Sequence, residues 1–413
     1  MKVTVIGGGA VGLSCAYYLQ QAGAQVSVLD KNDFSDNCSY GNAGLIAPSH
    51  IIPLASPGMI SKGLSYALSS KSPFYIKPQL KLDLYNWAWR FYRSATEQHV
   101  EKAMYAIRDI NCMSRDLYKE MSESKELSFE YSNNGLLQIY KTEKGKATEL
   151  SQAEKANSIG VEANEVSPVE IAQLAGLDEI NAIGAVHYPG DAHIYPDKFM
   201  RNLKSFLEKA GVQFHPTSEV QDFVFKNSRV RKIITKKGEL EAEYVVLASG
   251  AWSAGLARKL NIRLLVQDGK GYSITQKKAP LKPQIPAVLS EAKVAVTPMG
   301  DDLRLGGTLE FSGFSILKRP KRIQAILDAV PDYYPQIKVA MPELETVWYG
   351  YRPCSHDGLP YIGATVKYEN LVIATGHSMM GLSMAPATGK LVSEILYGKN
   401  LSIDIKPFSP ERV

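Results

Sequence analysis

Cysteine is scarce in this sequence and is scattered where it occurs. The chain of 413 residues has four cysteines, Cys15, Cys38, Cys112 and Cys354. None forms a CxxC pair, and no cysteine and histidine have the spacing of a zinc site. A disulfide framework and a metal site are therefore not expected, and the chain is typical of a reducing compartment.

Long apolar runs and blocks of like charge are also missing. No run of about eighteen apolar residues is present, which excludes an ordinary membrane-spanning helix. The 47 basic and 42 acidic residues, with a net charge of +5, are spread along the chain. Nucleic-acid binding proteins concentrate their basic residues, so no nucleic-acid partner is expected. Because MKVTVIGGGAVG also lacks the features of a signal peptide, we expect a cytoplasmic protein.

The length and composition favour a globular protein of two domains. A single hydrophobic core rarely grows beyond about 250 to 300 residues, and this chain is longer. Hydrophobic residues make up 45% of the chain and charged residues 22%. These proportions are ordinary for a folded enzyme or binding protein and exclude a fibrous or disordered one.

The first thirty residues predict a nucleotide-binding βαβ unit. The β-branched run Val3 to Ile6 is typical of a buried parallel strand, and VIGGGAVG places Gly7, Gly9 and Gly12 on the spacing G-x-G-x-x-G. Such glycines allow a tight turn, close approach to a pyrophosphate and close helix packing. A helix is predicted from about Ala10, through Val11, to Ala22, with its N-terminus directed at the phosphates.

An acidic residue follows the second predicted strand of this unit. Asp30 lies eighteen residues after Gly12, where its carboxylate can accept hydrogen bonds from both ribose hydroxyls. Lys31 follows directly and belongs to the same predicted nucleotide site. The pattern favours an adenine dinucleotide without a 2′-phosphate, and leaves NAD and FAD open.

Several later motifs, taken together, identify a family resemblance. They are SYGNAG, VVLASGAW, DGKGYSIT, LRLGGTLEF, GYRPCSHDGLPYIG and ATGHSMMGLSMAPATGK, in that order along the chain. With VIGGGAVG, they make the sequence resemble the FAD-dependent D-amino-acid oxidase superfamily, in particular bacterial D-amino-acid dehydrogenases, with glycine oxidase and sarcosine oxidase as cousins. The resemblance covers essentially the whole chain.

The resemblance implies a mixed α/β protein, with a Rossmann-like FAD-binding domain and a discontinuous substrate domain built on an antiparallel sheet. The implied FAD-binding domain comprises residues 1–85, 184–259 and 345–413, and the substrate domain residues 86–183 and 260–344. The residue pattern agrees in part, since GLLQIY, GYSIT and LRLGGTLEF are strand-like runs.

The resemblance also implies non-covalent FAD and a set of residues around it. Cys354 lies past the position at which some relatives attach flavin, so no covalent bond is expected. The start of the predicted helix near Gly381 is free of acids and suits an anionic flavin edge. The implied FAD contacts beyond the glycine motif are Ser39, Asn42, Ala43, Gly44, Val220, Gly250, Trp252, Gly376, Gly381 and Leu382.

Arg352 is the candidate substrate-binding residue. It stands in a stretch of turn-forming residues whose only acid is Asp357. The resemblance implies that this arginine receives the substrate carboxylate through paired hydrogen bonds, worth roughly 3 to 6 kcal/mol before desolvation. The alternative is an arginine that binds carbonyls or Asp357 within a turn.

The implied reaction is oxidative deamination of a small amino acid, most simply a D-amino acid, with D-proline or hydroxyproline as options. With the carboxylate held, hydride leaves the α carbon for flavin N5 and no protein base is strictly required. The alternatives are a glycine or sarcosine-type oxidase that uses O₂, an FAD-dependent 2-hydroxy-acid dehydrogenase and a non-enzymatic FAD protein.

Other residues are candidates for the same pocket, each with an alternative. Tyr272 and Tyr351 would donate to the carboxylate or simply pack, and Lys270 would be a second cation near the flavin or a surface charge. His377 would contact flavin or substrate. We expect His193 and Tyr195 to pack between strand and helix, and Ser49 and His50 to reach the pocket entrance.

The electron acceptor is expected to be a quinone, another electron carrier or O₂. The segment from Pro53 to Arg93 is amphipathic and rich in aromatics. Helices packed on the core explain such a segment most simply. A peripheral contact with the inner face of the cell membrane is the sharper alternative, with Lys77, Lys81, Arg90 and Arg93 facing anionic lipid.

Overall fold

A computed structural model describes residues 1–59, 72–77, 81–124 and 127–412. Much of the amphipathic segment from Pro53 to Arg93 therefore falls outside the described residues, namely 60–71 and 78–80. Within the described ranges, no helix combines the length and apolar character needed to cross a membrane. The same ranges hold no cluster of three metal-ligating side chains.

The nucleotide-binding half of the protein is built on a sheet of six described strands. All neighbouring pairs are parallel except the last. Across the sheet the strands are β10 (Gln213–His215), β2 (Gln25–Leu29), β1 (Lys2–Ile6), β14 (Tyr244–Leu247), β21 (Leu371–Thr375) and β20 (Tyr361–Ala364).

Both faces of this sheet are covered, which explains its nearly continuous apolar strands. One face packs against α1 (Ala10–Gln21), α3 (Glu97–Glu123), α6 (Pro196–Lys209) and α9 (Ala385–Leu396). The other face packs against α7 (Ser253–Lys259) and a three-stranded sheet of β11 (Val220–Lys226), β12 (Arg229–Thr235) and β13 (Gly238–Glu241).

The predicted βαβ unit is confirmed. The helix begins at Ala10 and ends at Gln21, one residue before the predicted end. Gly7 has φ +117°, and a Cβ there would lie 2.4 Å from the Ala248 carbonyl oxygen. A Cβ on Gly12 would lie 1.8 Å from the Gly7 carbonyl oxygen. The first and third glycines of the motif therefore let α1 and the strand turn pack at backbone contact.

The second large sheet contains nine described strands and is mainly antiparallel. The strand-like runs GLLQIY, GYSIT and LRLGGTLEF are confirmed as strands within the ranges Leu136–Tyr140 (β6), Val266–Gln276 (β15) and Asp302–Phe311 (β18). In spatial order the strands are β19 (Trp348–Ser355), β15 (Val266–Gln276), β18 (Asp302–Phe311), β17 (Val294–Met299), β16 (Ala287–Leu289), β6 (Leu136–Tyr140), β8 (Gly184–Tyr188) and β7 (Asn164–Val166), with β4 (Phe74–Ile76) also paired to β18.

Helices and one small sheet complete the architecture. One face of the nine-stranded sheet buries α8 (Pro320–Tyr333) and α5 (Pro168–Ala175). A small sheet of β3 (Leu45–Ile46), β9 (Ala192–Ile194) and β5 (Tyr131–Ser132) joins the two halves. The remaining described α-helices are α2 (Leu82–Ser94) and α4 (Glu143–Ser158).

Three described strands, β4, β8 and β19, lie in the larger sheet although their ranges were assigned to the nucleotide domain. Strands β8 and β19 pair with β6 and β15 respectively. The predicted domain boundaries at residues 184 and 345 would therefore divide the strands of this one sheet between the two domains. Part of the stretch expected to form a turn, from Gly350 to Ser355, is instead strand β19. The division into domains stays a prediction.

Candidate active site

A cavity of about 1670 Å³ extends between the two large sheets. Its wall begins at the glycine turn after β1 and reaches Arg352 on β19. The predicted cofactor residues on this wall are Gly7, Gly9, Ala10, Val11, Asp30, Lys31, Ser39, Asn42, Ala43, Val220, Gly250, Trp252, Gly381 and Leu382. One continuous cavity thus brings most of the predicted dinucleotide site together with the candidate substrate arginine.

Asp30 is held by backbone amides at the nucleotide end of the cavity. The Gly8 amide donates to Oδ2 and the Asn32 amide to Oδ1, both at 2.8 Å. Each carboxylate oxygen can accept a further hydrogen bond. The side chain is thereby oriented to receive two ribose hydroxyls.

The segment after Asp30 folds back over the start of α1. Ser39 accepts a hydrogen bond from the Ala10 amide at 2.9 Å, and the Asn42 side chain accepts one from the Gly44 amide at 2.8 Å. Ser39, Asn42 and Ala43 lie on the cavity wall. This segment places small polar groups beside the helix N-terminus, where a pyrophosphate would bind.

Three predicted cofactor glycines are packing positions behind the wall. Gly12 packs on Gly7, as described above. A Cβ on Gly44 would lie 2.3 Å from the Ile194 carbonyl oxygen, and one on Gly376 would lie 2.8 Å from the Tyr361 ring. These glycines let neighbouring elements approach closely, and none of the three is part of the cavity wall.

An aromatic cluster forms one side of the cavity. The Lys31 ammonium lies 3.4 Å from the centre of the Trp252 ring. Trp252 in turn stacks on Phe314, with ring centres 4.9 Å apart, and contacts Tyr351 edge-on at 5.7 Å. Such a wall suits a flat ring system better than a polar chain.

The N-terminal end of α9 contributes another side. Gly381, Leu382 and Met384 line the cavity just before or at the start of α9, and its first turn has no acidic residue. The positive end of the helix dipole therefore lies near the cavity. His377 also lines it, with Nε2 3.0 Å from the Thr388 hydroxyl. Burial lowers the His377 pKa to about 3, so this imidazole is neutral.

Arg352 lies across a glycine on the neighbouring strand. It pairs with Gly269 in the ladder of β15 and β19, so its side chain projects on the same face as Gly271. A Cβ on Gly271 would lie 2.1, 2.3 and 2.4 Å from Nη1, Nη2 and Cζ. Three nearly equal distances mean that the flat face of the guanidinium rests on Gly271.

The Arg352 guanidinium keeps most of its donors for a ligand. Within the described ranges it makes one hydrogen bond, from Nη1 to the Thr308 carbonyl at 2.6 Å. A guanidinium has five N–H groups, so a carboxylate can still be bound by two of them. Burial lowers the pKa of Arg352, but an arginine in protein surroundings stays charged.

A β-bulge in β18 directs the Thr308 carbonyl at this arginine. Lys270 pairs with Glu310 and Tyr272 with Gly307, so Thr308 and Leu309 stand opposite the single residue Gly271. Thr308 has φ +64°, a left-handed conformation that β-branched residues rarely adopt. Backbone strain of this kind concentrates at functional sites.

Asp357 is not the partner of Arg352. Its two carboxylate oxygens accept from Arg412, at 2.7 Å from Nε and 3.1 Å from Nη2. The alternative in which Arg352 is neutralised by Asp357 is therefore wrong. The other alternative was that Arg352 binds backbone carbonyls. This holds for one of its N–H groups, which donates to the Thr308 carbonyl.

Lys270 lies away from the cavity wall, which corrects its predicted role. Its ammonium is 3.6 Å from Glu310 and donates to the Leu317 carbonyl at 2.5 Å. The residue is 1% exposed, so it is not a surface charge either. It projects to the opposite face of β15 from Gly271, because neighbouring strand residues alternate between faces.

Tyr272 and Tyr351 contribute surface to the cavity while their hydroxyls bind elsewhere. The Tyr272 hydroxyl donates to the Leu317 carbonyl at 3.3 Å, and that of Tyr351 donates to the Ser315 carbonyl at 3.0 Å. These contacts oppose the prediction that both phenols donate to a carboxylate. The packing alternative describes them better.

The remaining candidates divide between packing and the cavity. Tyr195 donates to Asp302 at 2.5 Å and contacts Lys277, and His193 is buried in β9, so both are packed as expected. His50 lines the cavity, and Ser49 lies directly behind it. Cys354 is buried, and burial raises its thiol pKa to about 12.

Some wall residues were not predicted. Trp348 packs on Gly41 and Gly350, and only its position beside the Arg352 motif could have indicated it. A further part of the cavity lies between α3, α4 and β16, with Glu149, Gln152 and Lys293 on its wall. No local sequence pattern marks those three residues, because they meet only through the fold.

Known proteins resemble the chain over nearly its full length. The family model described as "DAO: FAD dependent oxidoreductase" matches residues 2–395. The chain belongs to this FAD-dependent oxidoreductase family. It is 32% identical over 395 residues to a D-amino acid dehydrogenase of Helicobacter pylori, a match that covers 95% of this chain and 94% of that protein. It is 31% identical to D-amino acid dehydrogenase 1 of Mesorhizobium japonicum, over 100% and 99% of the two chains.

Solved structures of family relatives confirm the predicted fold class. Glycine oxidase from Geobacillus kaustophilus has a TM-score of 0.78 at 22% identity, over 100% of this chain and 98% of that one. L-proline dehydrogenase from P. horikoshii has a TM-score of 0.73 at 18% identity, over 100% and 97%. FAD is the cofactor of the family, as predicted.

The residues on the cavity wall fit FAD. Close-packed glycines, the backbone-held Asp30 and the Ser39 segment suit the adenosine diphosphate part. The Trp252 cluster and the N-terminal end of α9 suit the ring system. Arg352 lines the same cavity.

Proposed function

We propose that this protein oxidises a small amino acid, preferentially a D-amino acid, to its imine. The imine hydrolyses to a 2-oxo acid and ammonia, or stays cyclic if the substrate resembles D-proline. One observation carries the proposal: the Arg352 guanidinium rests on Gly271 at the end of the cavity that fits a dinucleotide. The names of the full-length relatives, which are D-amino acid dehydrogenases, support it.

Arg352 would bind the carboxylate and so orient the α carbon. Two charge-assisted hydrogen bonds to a carboxylate contribute about 1.5 to 3 kcal/mol each before desolvation. The Thr308 carbonyl holds one side of the guanidinium and Gly271 supports its face, so the remaining N–H groups are fixed in direction. Fixed orientation of this kind accounts for a large part of enzymatic rate enhancement.

Held by the residues on the cavity wall, FAD would supply the acceptor for a hydride from the substrate α carbon. The chain's own contribution is to hold the substrate and to exclude water. Leu382, Met384 and Tyr351 are buried residues on the wall of the same cavity. A site with little water strengthens the interaction of the carboxylate with Arg352.

Anaerobic bleaching of the flavin tests this function. The purified holoenzyme is mixed without O₂ with D-alanine, L-alanine, D-proline, L-proline, glycine, sarcosine and D-lactate, and the loss of flavin absorbance is followed. The proposal expects the D-amino acids to bleach the flavin fastest. Preferential bleaching by D-lactate would indicate a hydroxy-acid dehydrogenase, and no bleaching by any small acid would refute the proposed reaction.

We propose that electrons leave to a membrane quinone rather than to O₂. Helix α2 has two apolar faces. One face, formed by Leu84, Trp87 and Phe91, is buried. The opposite face exposes Leu82 (82%), Tyr85 (56%), Trp89 (59%) and Tyr92 (60%). Exposed Lys81 and Arg93 flank this stripe. Aromatic residues beside basic residues are typical of peripheral membrane surfaces.

Sedimentation with vesicles tests the membrane surface. The protein is expected to bind vesicles that contain anionic lipid, and W89S/Y92S should lose that binding. Y105S is the matched control, because Tyr105 is also exposed (49%) but lies on α3. Peroxide formed at a rate equal to substrate turnover in air would show that O₂ is the acceptor instead.

A further inference from the structure

Behind the cavity wall lies a chain of three hydrogen-bonding side chains. The Ser49 hydroxyl donates to Asp191 Oδ2 at 2.5 Å, and the Ser49 amide donates to Oδ1 at 3.0 Å. The same hydroxyl lies 3.5 Å from His50 Nδ1. His50 lines the cavity, whereas Asp191 is 1% exposed. A polar path thus leads from the cavity into the protein interior.

The proposed oxidation releases one proton from the substrate nitrogen, and a protein group that accepts it would speed the reaction although no protein base is strictly required. An amino acid in neutral water carries an ammonium group, and hydride cannot leave the α carbon until the nitrogen has a free electron pair. One proton must therefore leave the substrate nitrogen. Arg352 is a permanent cation and cannot accept it, and the phenols of Tyr272 and Tyr351 already donate to carbonyls.

We propose that His50, Ser49 and Asp191 form a relay that removes this proton, an inference that rests on the proposed amine oxidation. The ammonium N–H bond breaks and the proton passes to His50 Nε2. The Nδ1 proton then passes to the Ser49 oxygen, and the Ser49 hydroxyl proton passes to Asp191 Oδ2. The balance is one proton moved from the substrate ammonium to the Asp191 carboxylate.

His50 lies on the wall of the same cavity as Arg352. His50 stands in the segment that follows the flavin-loop residues Asn42 and Ala43. Further along the same segment, Pro53 and Leu54 pack against Gly358, six residues after Arg352. His50 therefore stands on a backbone segment that runs from the cofactor part of the cavity to the loop between β19 and β20, which follows Arg352.

The charges around the relay agree with it. Burial and Lys293, which lies between β16 and β17, lower the His50 pKa to about 4, so the imidazole is neutral and can accept a proton. Burial raises the pKa of Asp191 to about 7, against the opposing effects of Ser49 and of Arg115 on α3. Asp191 can therefore take up a proton near neutral pH. Tyr188 on β8 also faces Asp191.

The pH dependence of flavin reduction tests the relay. The rate of anaerobic bleaching by D-alanine and D-proline is measured across pH for the wild type, S49A, H50Q and D191N. At neutral pH we expect the variants to be slower by about 10²-fold, a typical effect of acid–base catalysis. Above the pKa of the substrate ammonium the deficit should disappear, because the substrate then arrives with its nitrogen already neutral.

The controls separate the relay from simple packing. His193 is also buried, with a pKa lowered by burial to about 4, but lies on β9 away from the cavity wall, so H193Q should keep the wild-type pH profile. Flavin content shows which variants are folded. If S49A and H50Q are equally slow at every pH, or unimpaired, the relay is overturned. A wild type that no amino acid bleaches would instead refute the proposed function.

Discussion

At the scale of single residues, the proposed substrate-binding end of the cavity depends on Gly271 as much as on Arg352. Gly271 has no side chain, and the Arg352 guanidinium occupies the space where a Cβ would be. A flexible arginine loses side-chain entropy when it is held. The Thr308 carbonyl and the flat contact with Gly271 order this side chain before any ligand arrives.

Gly271→Ala should weaken substrate binding without loss of FAD. The new Cβ would lie 2.1 Å from Nη1, so the guanidinium must move. Loss of one of the two hydrogen bonds from Arg352 to the substrate carboxylate would cost about 1.5 to 3 kcal/mol. The dissociation constant of the substrate would then rise about ten- to a hundredfold. Rapid-mixing bleaching kinetics with D-alanine give this constant.

Gly255→Ala is the control for that experiment. Gly255 also lines the cavity, but a Cβ there meets nothing within 4 Å. Gly255 lies in α7, where alanine is the better helix former. An unchanged substrate constant in G271A, or an equal change in G255A, would contradict the proposed support of Arg352 by Gly271.

At the scale of elements, the bulge in β18 explains why neighbouring residues have different roles. Lys270, Tyr272 and Tyr351 share one face of the β15 and β19 ladder, while Gly269, Gly271 and Arg352 share the other. The first face binds Glu310 and the carbonyls of Ser315 and Leu317. The second face receives the Thr308 carbonyl from the bulge.

Thr308→Gly should cost less stability than an equivalent change on the next strand. Thr308 holds φ +64°, which costs a non-glycine residue roughly 1 to 2 kcal/mol. Thr297→Gly on β17 is the matched control, since both threonines are buried and both hydroxyls lack a partner among the described residues. Urea unfolding should show T308G to be more stable than T297G by about that amount. Equal losses would mean that the backbone at Thr308 stores no strain.

Sequence patterns predict features that are formed by residues close together in the sequence. They miss contacts that arise only when distant strands pair in a sheet. The glycine turn, α1 and Asp30 follow one another within thirty residues, so the pattern identified them. Arg352 was predicted to bind the carboxylate from the family resemblance, and Tyr351 was predicted to help because it is adjacent in the sequence. Both residues contact the cavity, but in strand β19 their side chains point to opposite faces and the Tyr351 hydroxyl donates to the Ser315 carbonyl instead. Glu149 and Lys293 reach the cavity from distant segments, and Asp191 meets Ser49 only through β3 and β9.

At the scale of the whole molecule, a buried ion pair joins the C-terminal segment to the loop between β19 and β20, which follows the candidate site residue Arg352. Arg412 binds Asp357 and also donates to the carbonyls of Leu359, Phe408 and Ser409. Its guanidinium lies 3.7 Å from the centre of the Tyr361 ring. Since Asp357 follows Arg352 by five residues, this pair links global stability to the position of the candidate site.

Arg412→Met should destabilise the fold, most strongly at neutral pH. Burial raises the Asp357 pKa, but Arg412 outweighs this effect and the pKa is lowered overall. The pair thus stabilises the protein above the unfolded pKa of about 3.9 and is lost as pH falls through the lower folded value. Without Arg412 a buried charge is left unpaired, at a cost of about 3 to 5 kcal/mol.

Urea unfolding at several pH values measures this effect. In R412M, acidification should reduce the difference from the wild type, because a protonated Asp357 no longer needs a partner. R412M/D357N should recover part of the stability at neutral pH. A loss in R412M that stays constant with pH would assign it to packing on Tyr361 instead of to the ion pair.

The most direct test of the account is whether Arg352 binds a carboxylate in the loaded enzyme. Propionate, which has a carboxylate but no amine to oxidise, is titrated into the holoenzyme while the flavin spectrum is recorded. Arg352→Met should keep its FAD and bind propionate about 100-fold or more weakly, and Arg352→Lys should fall between the two. Equal propionate affinity in wild type and R352M, with flavin content unchanged, would contradict the account.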